Sequence, residues 1–600
     1  MLKKVLPAFG AVFGPLGIGF SLWIASQNYP NKLGRYAPAA HYAGLLFMIV
    51  SPLMLLMVLT SHFRRWIKGK NTKIDCLTNE NRALKERLNW QDHEGASAAV
   101  ARCRALWERS LGSTSSEKYE DDPVYLQLYL DQKLSNIVVQ PIMQRLAHIK
   151  QLSFAYLTFR SATHTRLAHS LGACRNAGLV MRRIFQEGRL YSRTGTQSLG
   201  LTEEEKTRYL RLAVVTALVH DIGHGPLSHA LEIHLRLGDE GRSHVRPDKK
   251  LSIKYVDKYL RQVISEAGVD PDDVIALIGK DTDRFRTPWM HFIGDLIDSP
   301  LDVDRMDYLV RDSHMTGLSI GALNMQALIE RVVAFKEVEN DETVKIELAF
   351  DASAVPYVEQ FLYARDSMYI NCYERAEKVV AERMLGRAFD DFRKTADLAG
   401  QKMEIDSEEL ALLTDQQIIE LMLAYSGPET VTHRLIEQLM RGGTFEELCH
   451  DTILIAIPEP GKLEEENMLE KLPSEVRRWA EAALSEDYDG AYLDIPTDWA
   501  RTLSRRSGCV DESQIIVTVP PWSIVDNWQK EGEIRILRQN GAGGYTVDHV
   551  ADISKVLRDF TRTLARARLT LRVFVDPNLT NQHKERLRIE VQNLLGINAG

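Results

Sequence analysis

VVTALVHDIGHGPLSHALE, residues 214–232, decides how this chain is read. An apolar helix runs into His220-Asp221, gains His224 one turn later, stops at Gly225-Pro226 and presents His229. Charged Asp and polar His resist burial without partners. Two metal-ligand residue types side by side at the end of an apolar helix therefore imply a bound group. The rest of the chain is read for what completes that site.

The chain has 600 residues and a net charge of −8. That length exceeds one core and suggests roughly two to four units. The acidic balance argues against a general nucleic-acid binder, so nucleic acid is not an implied partner. The cysteines, at 76, 103, 174, 372, 449 and 509, are scattered without a CxxC pair. They form neither a disulfide framework nor a zinc-finger pattern, which favours a reducing compartment.

Residues 1–71 read as a transmembrane hairpin. Lys3-Lys4 precede an apolar run from about Val5 to Ala25, and a second run covers about His41 to Ser61. Each approaches the ~20 residues needed to cross a bilayer. The first run also fits a secretory signal or an interfacial helix, since Pro7, Pro15 and its glycines weaken it. Arg64, Arg65, Lys68, Lys70 and Lys73 follow the second run, so both ends face the cytoplasm by the positive-inside rule. Bilayer contact through residues 5–61 is expected, and with it a multi-pass location in a bacterial inner membrane.

Residues 72–120 form a helix and a linker. Ile74, Leu77, Asn81, Leu84 and Leu88 make a short coiled-coil seam or the buried stripe of an amphipathic surface helix. A mainly helical domain follows over 121–400. Thr202-x-x-Glu205 is a capping box that opens the helix ending in His220-Asp221. Residues 188–200 read as a loop and 333–351 as a hairpin. A polar helical extension covers 401–510. A small α+β lobe covers 511–600, with strands at 515–519, 533–537 and 569–575 and a final helix at 578–594. The fold class is mainly α: an all-helical core and a C-terminal α+β lobe, preceded by the hairpin and coiled-coil helix.

Three stretches share the chemistry of one site. They are THTRLAHSLG with Arg166 and His169, the opening stretch, and LDVDRMDYLVRDSH with Asp302, Asp304, Asp307 and Asp312. Arg305, Tyr308 and Asp312 lie one, four and eight residues after Asp304, within reach of one pocket on a helix. Two His and two carboxylates suit a first-row divalent metal, namely iron, manganese, zinc or nickel, with magnesium as a second ion. Such an ion lowers the pKa of bound water and polarises a phosphoryl oxygen. Arginine suits phosphate through its planar fork. Taken singly, His169 is more often structural, and an Asp-rich helix is more often a solvated face.

Over residues 123–400 the chain resembles the HD-superfamily deoxynucleoside triphosphate triphosphohydrolases, which include the vertebrate SAM-and-HD-domain enzyme. The motifs run in the family's order: IMQRLAHIKQL, ATHTRLAHSLG, ALVHDIGHGPLSH, LDVDRMDYLVRDSHMTG and ARDSMYINCY. The resemblance implies an all-helical HD-domain core and a metal quartet of His169, His220, Asp221 and Asp304. It implies that His224 and Glu232 belong to the acid–base group. Phosphate contacts would come from Arg166, His229, Arg305, Tyr308 and Arg365. Tyr373 would stack on the nucleoside, with Gln151 and Asp312 near the sugar. A homo-oligomer, dimer or tetramer, is implied as well.

Two departures bear on substrate and mechanism. Asp248 stands where the family has an acid–base His, and His244 lies four residues earlier. Ser153-Phe154 replaces the usual Gly-Gly after Gln-Leu. The expected function is metal-dependent hydrolysis of dNTPs to deoxynucleoside and triphosphate. The alternatives are an HD phosphohydrolase for another nucleotide and a catalytically weak nucleotide-sensing HD domain.

Overall fold

The computed structural model describes residues 101, 117–235, 247–320, 323–339, 343–398, 407–454, 488–518, 533–541, 543–557 and 568–595. The chain divides into two units, residues 1–94 and 95–600, and every described residue lies in the second. The stripe at 74–88 falls outside them.

Seven helices build the site: α1 (Arg166–Glu187), α2 (Glu203–Val219), α3 (His229–Leu235), α4 (Pro247–Tyr255), α5 (Val303–Thr316), α6 (Val355–Met368) and α7 (Ala376–Leu398). Helix α1 packs on α2 and α5, and α7 packs on α3. Thr165 caps α1 by accepting the Ala168 N–H, and Gly188 ends it at φ 68°, a left-handed position that suits glycine. Its buried face carries His169, Gly172, Ala173, Asn176, Ala177, Val180 and Ile184 at helical spacing. Burying each Val or Ile contributes ~1.5–3 kcal/mol, while Gly and Ala let neighbouring helices come close.

Helix α2 opens on the Thr202–Glu205 capping box, with Glu203, Glu204 and Glu205 against the positive end of the helix dipole. From Leu212 to Val219 every side chain is buried, so the last two turns lie inside the protein. This buried helix delivers His220 and Asp221 to the interior.

The strands are β1 (Lys118–Asp122), β2 (Leu126–Leu130), β3 (Arg189–Ser192), β4 (Gly195–Ser198), β5 (Val332–Glu339), β6 (Thr343–Asp351), β7 (Glu446–Leu454), β8 (Ile515–Thr518), β9 (Arg535–Gln539), β10 (Tyr545–His549) and β11 (Arg568–Val575). β1 and β2 form a separate hairpin. A six-stranded sheet runs β10-β9-β6-β5-β3-β4, and a three-stranded sheet runs β7-β11-β8. The stretch expected as a loop at 188–200 is the β3–β4 hairpin, and β7 lies where helix was expected. The C-terminal strands are divided between two sheets. β9 joins β6 in parallel, while β8 and β11 pair antiparallel and β11 also pairs with β7.

The expected transmembrane hairpin at residues 1–71 is corrected, together with the inner-membrane location and the bilayer contact through residues 5–61. Among the described residues no helix is long and apolar enough to cross a membrane. Residues 1–71 themselves lie outside the described part. Spanning takes ~20 predominantly apolar residues. The longest described helices, Arg166–Glu187, Ala376–Leu398 and Tyr488–Ser507, break their apolar runs with several charged side chains. The fold class is a mainly helical core with mixed and antiparallel sheets.

Candidate metal and phosphate site

His169 is fully buried on α1. Its Nδ1–H donates to Asp307 Oδ2 at 2.9 Å. His220, at the end of α2, donates Nδ1–H to the Ala217 carbonyl at 2.7 Å. Each anchor turns the opposite nitrogen, Nε2, toward the carboxylates. His169 Nε2 lies 3.1 Å from Asp304 Oδ1 and 3.6 Å from Asp221 Oδ2. His220 Nε2 lies 3.3 Å from Asp221 Oδ1 and 3.9 Å from Asp304 Oδ1. Both Nε2 atoms are buried without a hydrogen-bond partner among the described residues. Two orphaned imidazole nitrogens facing two carboxylates form the donor set of a divalent transition metal. Donor atoms of His169, His220 and Asp304 lie within 4.8 Å of one another. The residues fit the metal that their chemistry implies.

Burial disfavours a charged His169, yet the close approach of Asp304 and the hydrogen bond and charge of Asp307 raise its imidazole to about 10. Burial opposes the Asp221 carboxylate as well, but His220, His224 and Arg166 hold it well below the usual range. A cation bound at these nitrogens displaces their protons, so occupancy rises with pH.

A second group adjoins the first. His224 Nδ1 pairs with Glu232 Oε1, and Glu232 Oε2 accepts from His229 Nδ1 at 2.7 Å. The His224 and His229 rings meet edge to face with centroids 4.8 Å apart. His224 Nε2 lies 3.4 Å from Asp221 Oδ1. Burial works against a charged His224, as does Arg166, but Glu232 and Asp221 raise it to about 9. His229 is 65% exposed and faces solvent.

The residues expected to bind substrate are held by contacts of their own. Arg166 donates to Asp221 Oδ2 at 2.6 Å and to Ser228 Oγ at 3.0 Å. Arg305 is folded back on Asp302 and on the Ser299 carbonyl at 2.5 Å. Arg365 is buried and lies over the Tyr369 ring at 5.1 Å. Tyr373 stands edge to face with Tyr308 at 6.3 Å and donates to Asp312 Oδ2 at 2.7 Å. Asp312 Oδ1 pairs with His164 Nε2 at 2.8 Å. Gln151 donates its N–H to the His164 carbonyl, and its Oε1 is buried without a partner among the described residues. Tyr373 ends a π-helical turn, Tyr369–Tyr373, a local widening frequent at functional sites.

The turn between the two groups is strained. Leu227 and Ser228 sit at φ 57° and 53°, left-handed values that cost a non-glycine residue ~1–2 kcal/mol each. Asp415 holds them there, because its carboxylate accepts the Leu227 N–H at 2.6 Å and the Lys150 N–H at 3.0 Å. Bonds to a charged acceptor contribute ~1.5–3 kcal/mol each, enough to offset that strain. Ser228 adds a bond to the Lys150 carbonyl at 2.8 Å.

Sequence reading named Asp307 without assigning it a role and missed Arg311 and Arg145. Asp307 and Arg311 are an i, i+4 acid–base pair, a spacing visible in LDVDRMDYLVRDSH. Arg145, in IMQRLAHIKQL, is fully buried and donates to the carbonyls of Ile222 at 2.7 Å, His224 at 2.8 Å and Ala411 at 3.0 Å. Nothing local in the sequence marks it as buried. Asp248, at the start of α4, is buried with Oδ2 at 3.7 Å from His224 Nε2. His244 lies outside the described residues. Ser153 adopts φ 48°, which explains why glycine suits that position, and the neighbouring Phe154 is buried.

No protein-family model matches the chain. An uncharacterized Bacillus subtilis protein is 32% identical over 284 residues, covering 46% of this chain and 57% of its own. The deoxynucleoside triphosphate triphosphohydrolase SAMHD1 homolog of Dictyostelium discoideum is 28% identical over 295 residues, covering 48% and 52%. An HD domain-containing protein of Acanthamoeba polyphaga mimivirus is 28% identical over 292 residues, covering 48% and 60%. These similarities support an HD-superfamily, dNTPase-like family at modest identity. The chain spans about half to three-fifths of the length of the curated relatives it matches. An HD-type nucleotide phosphohydrolase with a divalent metal is the activity class these relatives support.

Proposed function

We propose that the chain hydrolyses deoxynucleoside triphosphates to deoxynucleoside and triphosphate. The carrying observation is the convergence of two anchored, orphaned histidine nitrogens on Asp221 and Asp304, beside Arg166 and the His224–Glu232–His229 group. In this reading His169, His220, Asp221 and Asp304 hold the metal. When bound, such an ion supplies an activated water and a Lewis acid at the α-phosphate.

The protein's own residues do the rest. Arg166, fixed by Asp221 and Ser228, donates to a phosphate oxygen and offsets developing charge. Glu232 holds His224 and His229 through their Nδ1 atoms, which keeps a proton available for the departing 5′-oxygen. Arg305, Tyr308 and Arg365 line the path of the triphosphate. Binding there requires Arg305 to exchange its Asp302 partner for phosphate. Tyr373 stacks on the base, while Gln151 and Asp312 meet the sugar. The active form is a homo-oligomer.

One observation favours a second reading, a nucleotide-sensing domain. Asp248 stands where the similar family has an acid–base His, putting a carboxyl group in the place of an imidazole donor. Product analysis separates the two readings. The full chain with Mn²⁺ is given each dNTP singly and all four together, beside a His220→Ala/Asp221→Ala variant. Deoxynucleoside plus intact triphosphate, lost in the variant, supports hydrolysis at the α-phosphate. Release of monophosphate or diphosphate moves the chain to another HD hydrolase class. Metal and nucleotide binding without turnover overturns the enzymatic reading in favour of sensing.

A further inference from the structure

A buried chain of charges runs from His169 to the β1–β2 hairpin. Asp307 Oδ2 accepts both the His169 Nδ1–H and the Arg311 Nε–H, each at 2.9 Å. Asp307 Oδ1 accepts a second Arg311 N–H at 3.0 Å. The remaining arm of Arg311 donates to Asp122 Oδ2 at 2.7 Å. Asp122 closes the β1–β2 hairpin, where its other oxygen accepts the N–H groups of Val124 and Tyr125 at 2.8 and 2.9 Å. The side chains of His169, Asp307 and Arg311 are fully buried, and that of Asp122 is 4% exposed.

The geometry around this chain is specific. A Cβ on Gly172 would stand 1.8 Å from Asp307 Oδ1 and 2.6 Å from an Arg311 nitrogen, so only glycine admits the pair against α1. The Tyr125 ring covers Arg311 at 5.6 Å and Arg175 at 4.3 Å, and its hydroxyl accepts from Asn176 at 3.2 Å. The hairpin is therefore clamped on α1 and α5 by the same guanidinium that orients Asp307. A single Asp307 oxygen serves both histidine and arginine. How strongly it accepts from His169 then depends on how far Asp122 neutralises Arg311.

We propose that Asp122, Arg311 and Asp307 are positioning residues that make the metal affinity of His169 depend on the docking of the β1–β2 hairpin. This rests on the reading that His169 holds the metal. Loss of Asp122 leaves Arg311 to draw on Asp307 alone, which weakens the histidine's anchor and its basicity at Nε2. Partners behind a ligating histidine typically change metal affinity about 10–100-fold.

The test is Mn²⁺ binding to the full chain, followed by the electron paramagnetic resonance signal of free Mn²⁺. Asp122→Asn keeps the hairpin's turn bonds through its carbonyl oxygen while removing the charge, and Asp307→Asn removes the middle link. Each single variant is expected to weaken binding about 10–100-fold, and the double variant no more than Asp307→Asn alone. Tyr129→Ala, on the hairpin's exposed face, is expected to bind as wild type. With Co²⁺ as the probe, Asp122→Asn is expected to shift the ligand-field bands of the loaded protein, which a loss of overall stability with His169 unaffected would not do. Wild-type affinity in Asp122→Asn, or an equal loss on top of Asp307→Asn, overturns the coupling. If wild type and His169→Ala bind Mn²⁺ equally weakly, the metal reading itself fails, and that outcome is distinct from both.

Discussion

Replacing Arg145 with methionine tests whether the His-Asp turn is held from behind. The guanidinium is fully buried and bonds the carbonyls of Ile222, His224 and Ala411, while its face lies 5.8 Å from the Tyr255 ring. Burial pushes its pKa down, with only partial recovery from Tyr255 and Asp415. Arg145→Met leaves three buried carbonyls without their donor, at ~1–3 kcal/mol each. It also removes a buried charge, which returns several kcal/mol of desolvation cost. The two effects oppose each other, and the larger is the orphaning of the carbonyls, leaving a net loss of ~3 kcal/mol.

Two of those carbonyls belong to the turn, so the loss is expected locally before it is global. Hydrogen exchange resolved by peptide is the assay, with the peptide covering residues 214–228 as the readout. The Ile222 and His224 amides are bonded to the Val219 and Asp221 carbonyls and report on the turn directly. A loss of ~3 kcal/mol corresponds to roughly 100-fold faster exchange. Arg145→Lys, which reaches fewer acceptors, is expected to fall between wild type and methionine. Exchange within roughly threefold of wild type in Arg145→Met would refute the argument that this arginine fixes the turn.

Three further outcomes follow. Ser153→Gly is expected to raise the melting temperature, because it relieves ~1–2 kcal/mol of left-handed strain at φ 48° and removes a buried Oγ without a partner among the described residues; a lower melting temperature would contradict this. Burial, aided by Asp366 and opposed by Arg572 and Lys378, raises Glu374 from its ordinary 4.5 to about 7. The folded state therefore binds this proton more tightly, and stability falls as pH rises from 4.5 to about 7. Glu374→Gln is then expected to melt with wild type below that window and above wild type beyond it, as scanning calorimetry across pH would show. Thr202→Ala breaks the capping box and is expected to cost ~1 kcal/mol, seen as faster exchange in the first turn of α2, with product formation unchanged.

What the sequence carried was local. The Thr202 box, the apolar run into His220 and the i, i+4 and i+8 spacing after Asp304 are nearest-neighbour facts, and each is realised in α2 and α5. The 333–351 alternation likewise became the β5–β6 pair. What stayed hidden depended on partners far along the chain. Asp415 reaches Leu227 across 188 positions and Arg145 reaches Ala411 across 266. The β3–β4 hairpin was read as a loop because its strands are four residues each and β4 is largely exposed, so neither shows an apolar alternation. Strand β7 reads as helix because its sequence, EELCHDTIL, is polar and its partner among the described residues, β11, lies more than a hundred residues later.

Asp248 stands where the family resemblance leads one to expect an acid–base histidine, and the structure seats it tightly beside His224. α4 brings it to 3.7 Å from His224 Nε2, and the contact below it is tight: the Gly223 N–H donates to Ser252 Oγ at 2.9 Å, and Ser252 donates to the His220 carbonyl at 2.8 Å. A Cβ on Gly223 would meet the Asp248 carbonyl at 2.1 Å, so only glycine at 223 lets α4 sit this close. His224 faces carboxyl groups on both sides, Glu232 at Nδ1 and Asp221 and Asp248 at Nε2. A histidine in that place would share protons with His224, whereas an aspartate fixes its charge. Asp248→His is therefore expected to alter the pH profile of product formation in the full chain, and Asp248→Asn to lower the affinity of His224 for its proton. An unchanged pH profile in both would place Asp248 outside the chemistry and leave it the role of seating α4.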